Sequence, residues 1–129
     1  SRYPVEARNV ESPLDPISAM NRQAVWVRIK GEYQDNLKPT DGLSVALFMS
    51  DFLLLRVARE IYQKYEIRVQ GTSLHHSVWI HQTDIDPLGW FLIVSECEVI
   101  SHGCARIDMH LFDENRNCVM TVVQEVYFQ

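Results

Sequence analysis

Two polar residues stand where their neighbours offer little to bond to. Asp51 lies in Phe48-Met49-Ser50-Asp51-Phe52-Leu53-Leu54-Leu55. An unpaired carboxylate is costly to bury, so this one needs hydrogen-bond partners or a polar cavity. Two readings stand: a general base in a cleft, or a carboxylate on a narrow solvent stripe or pinned to a nearby strand. Alternation along the last apolar run puts Gln124 in one row with Met120, Val122, Val126 and Phe128. Either it bonds to backbone at a bulge, or a buried amide and a buried carboxylate share a water molecule.

The run Gly71-Thr72-Ser73-Leu74-His75-His76-Ser77-Val78-Trp79-Ile80-His81 adds hydroxyls and three of the five histidines. Neighbouring His75 and His76 face opposite sides of a strand, so that strand alone cannot make them joint metal ligands. A serine nucleophile needs a base and an oxyanion pocket, and no GxSxG elbow is present. A serine that merely positions water asks less. Arg56, Arg59, Lys64 and Arg68 suit either a phosphorylated ligand or a solvated helix end.

The elements that must position these groups follow from periodicity. Short strands are expected at Val5 to Arg8 and at Ala24 to Lys30, the second with Val25, Val27 and Ile29 alternating with Trp26 and Arg28. Thr40 or Asp41 is placed to cap a helix from Leu43 to about Tyr62. Its first half is apolar on nearly every side, which predicts burial, whereas Arg56, Arg59 and Glu60 turn the second half toward solvent. Three β-rich runs follow, Leu74 to His81, Trp90 to Ile100 and Ala105 to Phe112, and a fourth covers Cys118 to Phe128. Asp113 to Asn117 makes a hairpin of the last two runs the simplest connection. The expected class is α+β: one long buried helix on an antiparallel sheet of five or so strands.

The 129 residues suit a single domain with one sizeable core. Twelve Lys and Arg against seventeen Asp and Glu leave a net charge of -5, which opposes phosphodiester backbones, so no nucleic-acid partner is expected. Cys97, Cys104 and Cys118 form no CxxC pair, and their odd number argues for reduced thiols in an intracellular protein, without zinc. The longest apolar run, Leu43 to Leu55, is broken by Ser44, Ser50 and Asp51 and falls short of the ~20 residues of a bilayer span.

Taken together, Ser50-Asp51 in an apolar helix, the Ser73-to-His81 run and Val123-Gln124-Glu125 resemble the C-terminal half of the type II acyl-CoA thioesterases, enzymes of two fused hotdog domains. Val25-Trp26-Val27-Arg28 resembles that family's strand before the helix. The resemblance implies a hotdog fold over residues 1–129, with a long central helix wrapped by an antiparallel sheet. It also implies hydrolysis of fatty acyl-CoA to fatty acid and CoA by a water that Asp51, Ser73 and Gln124 hold and activate, without metal or cofactor. A homodimer, or pairing with a second hotdog domain, is implied too, as is a peroxisomal or cytoplasmic location. The sequence departs from the family pattern at His75, where aspartate is usual, at His102-Gly103-Cys104-Ala105, and at Val126, where glycine is usual. A catalytically weak acyl-chain-binding or interaction module is the alternative. A hotdog hydratase is disfavoured because Arg56 stands where that family has histidine.

Overall fold

The computed structural model describes residues 5–9, 22–51, 75–100 and 104–127. Six strands form one sheet: β1 (Val5–Asn9), β2 (Arg22–Ile29), β3 (His75–Ile80), β4 (Phe91–Ile100), β5 (Cys104–Phe112) and β6 (Cys118–Tyr127). Their spatial order is β1-β2-β4-β5-β6-β3, and every neighbouring pair is antiparallel. The described strands lie within a residue or two of the expected runs, and the sheet has six where five or so were expected. The class is α+β, as expected.

Strict alternation sorts the side chains. Val25, Val27 and Ile29 of β2, Phe91 and Ile93 of β4, Met109 and Leu111 of β5, and Met120 and Val122 of β6 are buried on one face. Helix α2 (residues 42–51) packs there through Val45, Ala46 and Met49. Burying one such aliphatic or aromatic side chain is worth about 1.5–3 kcal/mol, so this single face is the main source of stability.

Two connections set the geometry around that core. After β2, a four-residue helix α1 (Gly31–Gln34) is tied back by Gln34 Nε2, which donates to the Ile29 carbonyl at 2.9 Å. A 3-10 turn (Pro39–Asp41) then leads into α2, and the Lys38 N–H donates to the Asp41 carboxylate at 2.8 Å. That bond closes the 3-10 turn on itself, and the described hydrogen bonds include none from an N–H of α2 to Thr40 or Asp41, the two expected caps. Gly42 begins α2 flush against the loop after β3: a Cβ there would fall on the Ile85 carbonyl oxygen.

The expected β5–β6 hairpin is present, closed by Asp113 Oδ1, which accepts from the N–H groups of Asn115 and Asn117, each at 2.9 Å. Arg116 takes the left-handed conformation that this turn requires, with φ 67°. Leu111 pairs with Met120 and Phe112 with Cys118, leaving Val119 as an extra residue on β6. That bulge explains why consecutive Val119 and Met120 are both buried.

One expectation needs correction. The apolar helix is not buried all round. Residues 42, 45, 46, 49 and 50 face the sheet, while Ser44, Leu47, Phe48 and Asp51 are exposed. A helix packed on one face of a sheet covers only one stripe of its surface there, and positions i, i+3, i+4 and i+7 form the opposite stripe. The expected continuation from residue 52 to Tyr62 lies outside the described residues.

Candidate active site

Gln124 sits in β6, between β5 and β3, with Ile107 opposite on one side and His76 opposite on the other. Period two places it in the inward row that begins with Met120 and Val122, as the sequence predicts. It is only 2% exposed, and among the described residues its Oε1 has no hydrogen-bond partner. An unsatisfied buried acceptor costs about 1–3 kcal/mol, and a single donated hydrogen bond to that oxygen removes the cost. Among the described residues, then, no backbone N–H bonds that oxygen.

Of the two positions the sequence leaves open for Asp51, the structure shows the solvent stripe: its side chain is exposed, because it shares the outer helical face with Ser44, Leu47 and Phe48. The buried polar group of that segment is Ser50, whose hydroxyl donates to the Leu47 carbonyl at 2.7 Å. Such a bond to the preceding turn satisfies the hydroxyl locally and frees α2 from needing a polar partner in the sheet. Ser73 lies outside the described residues, so the arrangement of Asp51, Ser73 and Gln124 is taken up below as a proposal.

His75 and His76 do face opposite sides of β3, opposite Glu125 and Gln124 respectively, as their adjacency predicts. Cys118 is a free thiol. Among the described residues no group of three or more His, Cys, Asp or Glu side chains is arranged to hold a metal ion, and no helix is long and apolar enough to cross a membrane.

Sequence reasoning missed a second polar centre, on the outer face of the sheet. Arg8, Trp26, Trp90 and Glu114 line a cleft of about 310 Å³. The guanidinium carbons of Arg8 and Arg28 lie 5.4 and 4.5 Å from the Trp90 ring centroid, within cation–π range. Glu6 joins the two cations, accepting from Arg28 Nε at 2.8 Å and from Arg8 at 3.4 Å. The Arg28 hydrogen bond holds the Glu6 carboxyl below the usual carboxylate range, against the opposing effect of partial desolvation. Only the register that brings β1 beside β2, with Arg8 opposite Trp26 and Glu6 opposite Arg28, could have revealed this group.

With the sheet, helix and buried amide in place, comparison with known proteins decides the family. The acyl-CoA thioesterase C-terminal domain family matches residues 2–128. The chain belongs to that family. An acyl-CoA thioesterase II, TesB2 of Mycobacterium marinum, is similar in structure with a TM-score of 0.70 at 21% identity, covering 98% of this chain and 49% of that one. A tesB protein of Mycobacterium avium subs paratuberculosis gives 0.69 at 23% identity, covering 98% and 48%. A conserved protein of unknown function with a hot dog fold from Alicyclobacillus acidocaldarius gives 0.60 at 18%, covering 98% and 46%. No curated protein matches the chain. This thioesterase-family domain therefore has the hotdog fold that the sequence resemblance implied, and it spans about half the length of those structures.

Proposed function

We infer that the chain hydrolyses fatty acyl-CoA thioesters to a free fatty acid and CoA. One observation carries the reading: in a domain of the thioesterase family, the last strand keeps a glutamine 2% exposed whose oxygen has no partner among the described residues. The buried amide carries both an acceptor oxygen and an NH₂ donor, so it can hold a water through either end and a substrate oxygen through the NH₂. In the proposed reaction Gln124 and Ser73 fix a water, and Asp51 accepts its proton as the oxygen attacks the thioester carbonyl. The C–O bond forms, the C–S bond breaks with its electron pair going to sulfur, and the proton ends on the CoA thiol. A thioester carbonyl is electrophilic enough for such an attack without a protein nucleophile. Exposure of Asp51 is compatible with a base that meets its water at the edge of the domain.

The proposal includes assembly. Residues 1–129 act as one hotdog domain equivalent to the C-terminal half of a double-hotdog enzyme, and they pair with a second hotdog domain or a second copy. Exposed Leu47 and Phe48 on α2, and exposed Trp79 and Ile80 on the edge strand β3, support this. A peroxisomal location rests on the family resemblance alone. The second reading, a catalytically weak acyl-chain-binding module, is favoured by the exposure of Asp51, the group assigned to take the water's proton. Hydrolysis of acyl-CoAs of graded chain length by wild type and by Asp51→Asn decides between them. Thiol release by wild type and not by the variant supports the enzyme, and binding without thiol release in both supports the module.

A further inference from the structure

The β3–β6 register brings one more chemical group to Gln124. His76 is its direct partner across the ladder, and directly opposed residues share a face with Cβ atoms about 4.5–5.5 Å apart. The other neighbouring positions are aliphatic: Val122 and Val126 along β6, and Ile107 across from it on β5. His76 is thus the one adjacent position in the sheet whose side chain carries an N–H, beside an amide whose Oε1 lacks a donor among the described residues.

We propose that His76 is a positioning residue that donates a ring N–H to Gln124 Oε1 and so fixes which end of the amide faces the reacting water. The inference rests on the thioesterase reading and extends it. An amide without a second anchor can turn over and exchange its donor for its acceptor, and only one orientation presents the NH₂ group to the water or to the thioester oxygen. In the structure the imidazole is exposed on an edge strand and the bond is not made. Exposed rotamers interconvert within picoseconds to nanoseconds. An acyl-CoA seated against β3 removes the water that competes for the imidazole and allows the bond to close.

The test uses the full chain with His76→Phe, which keeps a ring and removes the donor, and His76→Gln, which restores an N–H. Steady-state kinetics should show kcat lower by about threefold to tenfold in His76→Phe, the size of one net hydrogen bond. KM should change little, and His76→Gln should recover the rate. In a double-mutant cycle, His76→Phe should add no loss to Gln124→Ala, because the histidine acts through the amide. The second readout is independent of turnover: the carbon-13 signal of the Gln124 side-chain carbonyl, recorded free and with a thioether acyl-CoA analogue. That signal should move in His76→Phe and hold in His76→Gln. An identical carbonyl signal in wild type and His76→Phe under both conditions, or multiplicative losses in the cycle, would overturn the proposal. A carbonyl that responds as expected in a chain that releases no thiol would uphold the pairing and remove the thioesterase reading instead.

Discussion

Gln124 is where stability and function pull apart. Replacing a buried polar group whose acceptor has no partner among the described residues by an apolar one of similar shape is neutral or stabilising, and its row already holds buried Met120 and Val122. Gln124→Met should therefore raise the urea midpoint or leave it unchanged while lowering thioester hydrolysis to background. A destabilised Gln124→Met would mean that the amide is tied into the fold after all. Asp51 presents the opposite case. Its side chain is exposed, so Asp51→Asn should alter stability by no more than about 0.5 kcal/mol. Removing a general base should lower kcat about 10²–10⁴-fold. Unchanged turnover in a folded Asp51→Asn chain returns Asp51 to the role of a solvent-facing residue. Glu6 gives a pH signature unrelated to the reaction. Its carboxyl is held low, chiefly by the Arg28 hydrogen bond, so its stabilising contribution is present above the unfolded-state value and lost as pH falls through the folded-state value. Urea midpoints measured from neutral to acid pH should fall less steeply in Glu6→Gln than in wild type, and parallel curves would show that the ion pair is inert.

At the scale of elements, α2 is positioned as much by what it lacks as by what it packs. A Cβ on Gly42 would collide with the Ile85 carbonyl, which is backbone and has no flexible end to yield. Gly42→Ala should therefore push the start of α2 off the loop and destabilise the fold by about 1–3 kcal/mol, despite alanine's better helix propensity, as thermal unfolding would reveal. A more stable alanine variant would mean that the loop moves freely. This close approach is invisible in sequence, because the collision is with a residue 43 positions away along the chain. The strands themselves were legible, since period-two alternation survives in Val25, Val27 and Ile29 and in Met120, Val122 and Gln124. Gln124 was found for the same reason: a polar residue in an apolar row stands out without any knowledge of its neighbours. Two readings of Asp51 stayed open because composition does not fix the phase of a helix. An all-round apolar segment looks buried, yet turns 44, 47, 48 and 51 outward once residues 45, 46 and 49 dock. The Val119 bulge and the His76–Gln124 pairing were illegible because register is set by which residues meet across strands, and one extra residue shifts every pair beyond it.

For the whole molecule, the outward stripe of α2 and the open edge of the sheet belong to one argument. Among the described residues strand β3 bonds to β6 on one side only and ends the sheet. Trp79 and Ile80 on it are 51% and 45% exposed, and Phe48 and Leu47 on the helix 42% and 37%. An unpaired strand edge together with large apolar side chains is the kind of surface that proteins cover, because leaving it open invites uncontrolled pairing. The chain spans about half the length of two thioesterase-type structures, and the pairing proposed above would cover this surface with a second domain or a second copy. A second copy joined by a two-fold axis would do so by presenting the same patch twice. Light scattering at micromolar concentration should accordingly report a particle of twice 15.0 kDa. Placing charges on both elements, with Phe48→Glu and Trp79→Glu together, should convert it to single chains while circular dichroism stays that of the folded domain. Under the proposed assembly, hydrolysis should fall as pairing is lost. A wild-type particle of 15.0 kDa that hydrolyses acyl-CoA at the rate of its charged variant would show that neither the β3 edge nor the outer stripe of α2 serves assembly.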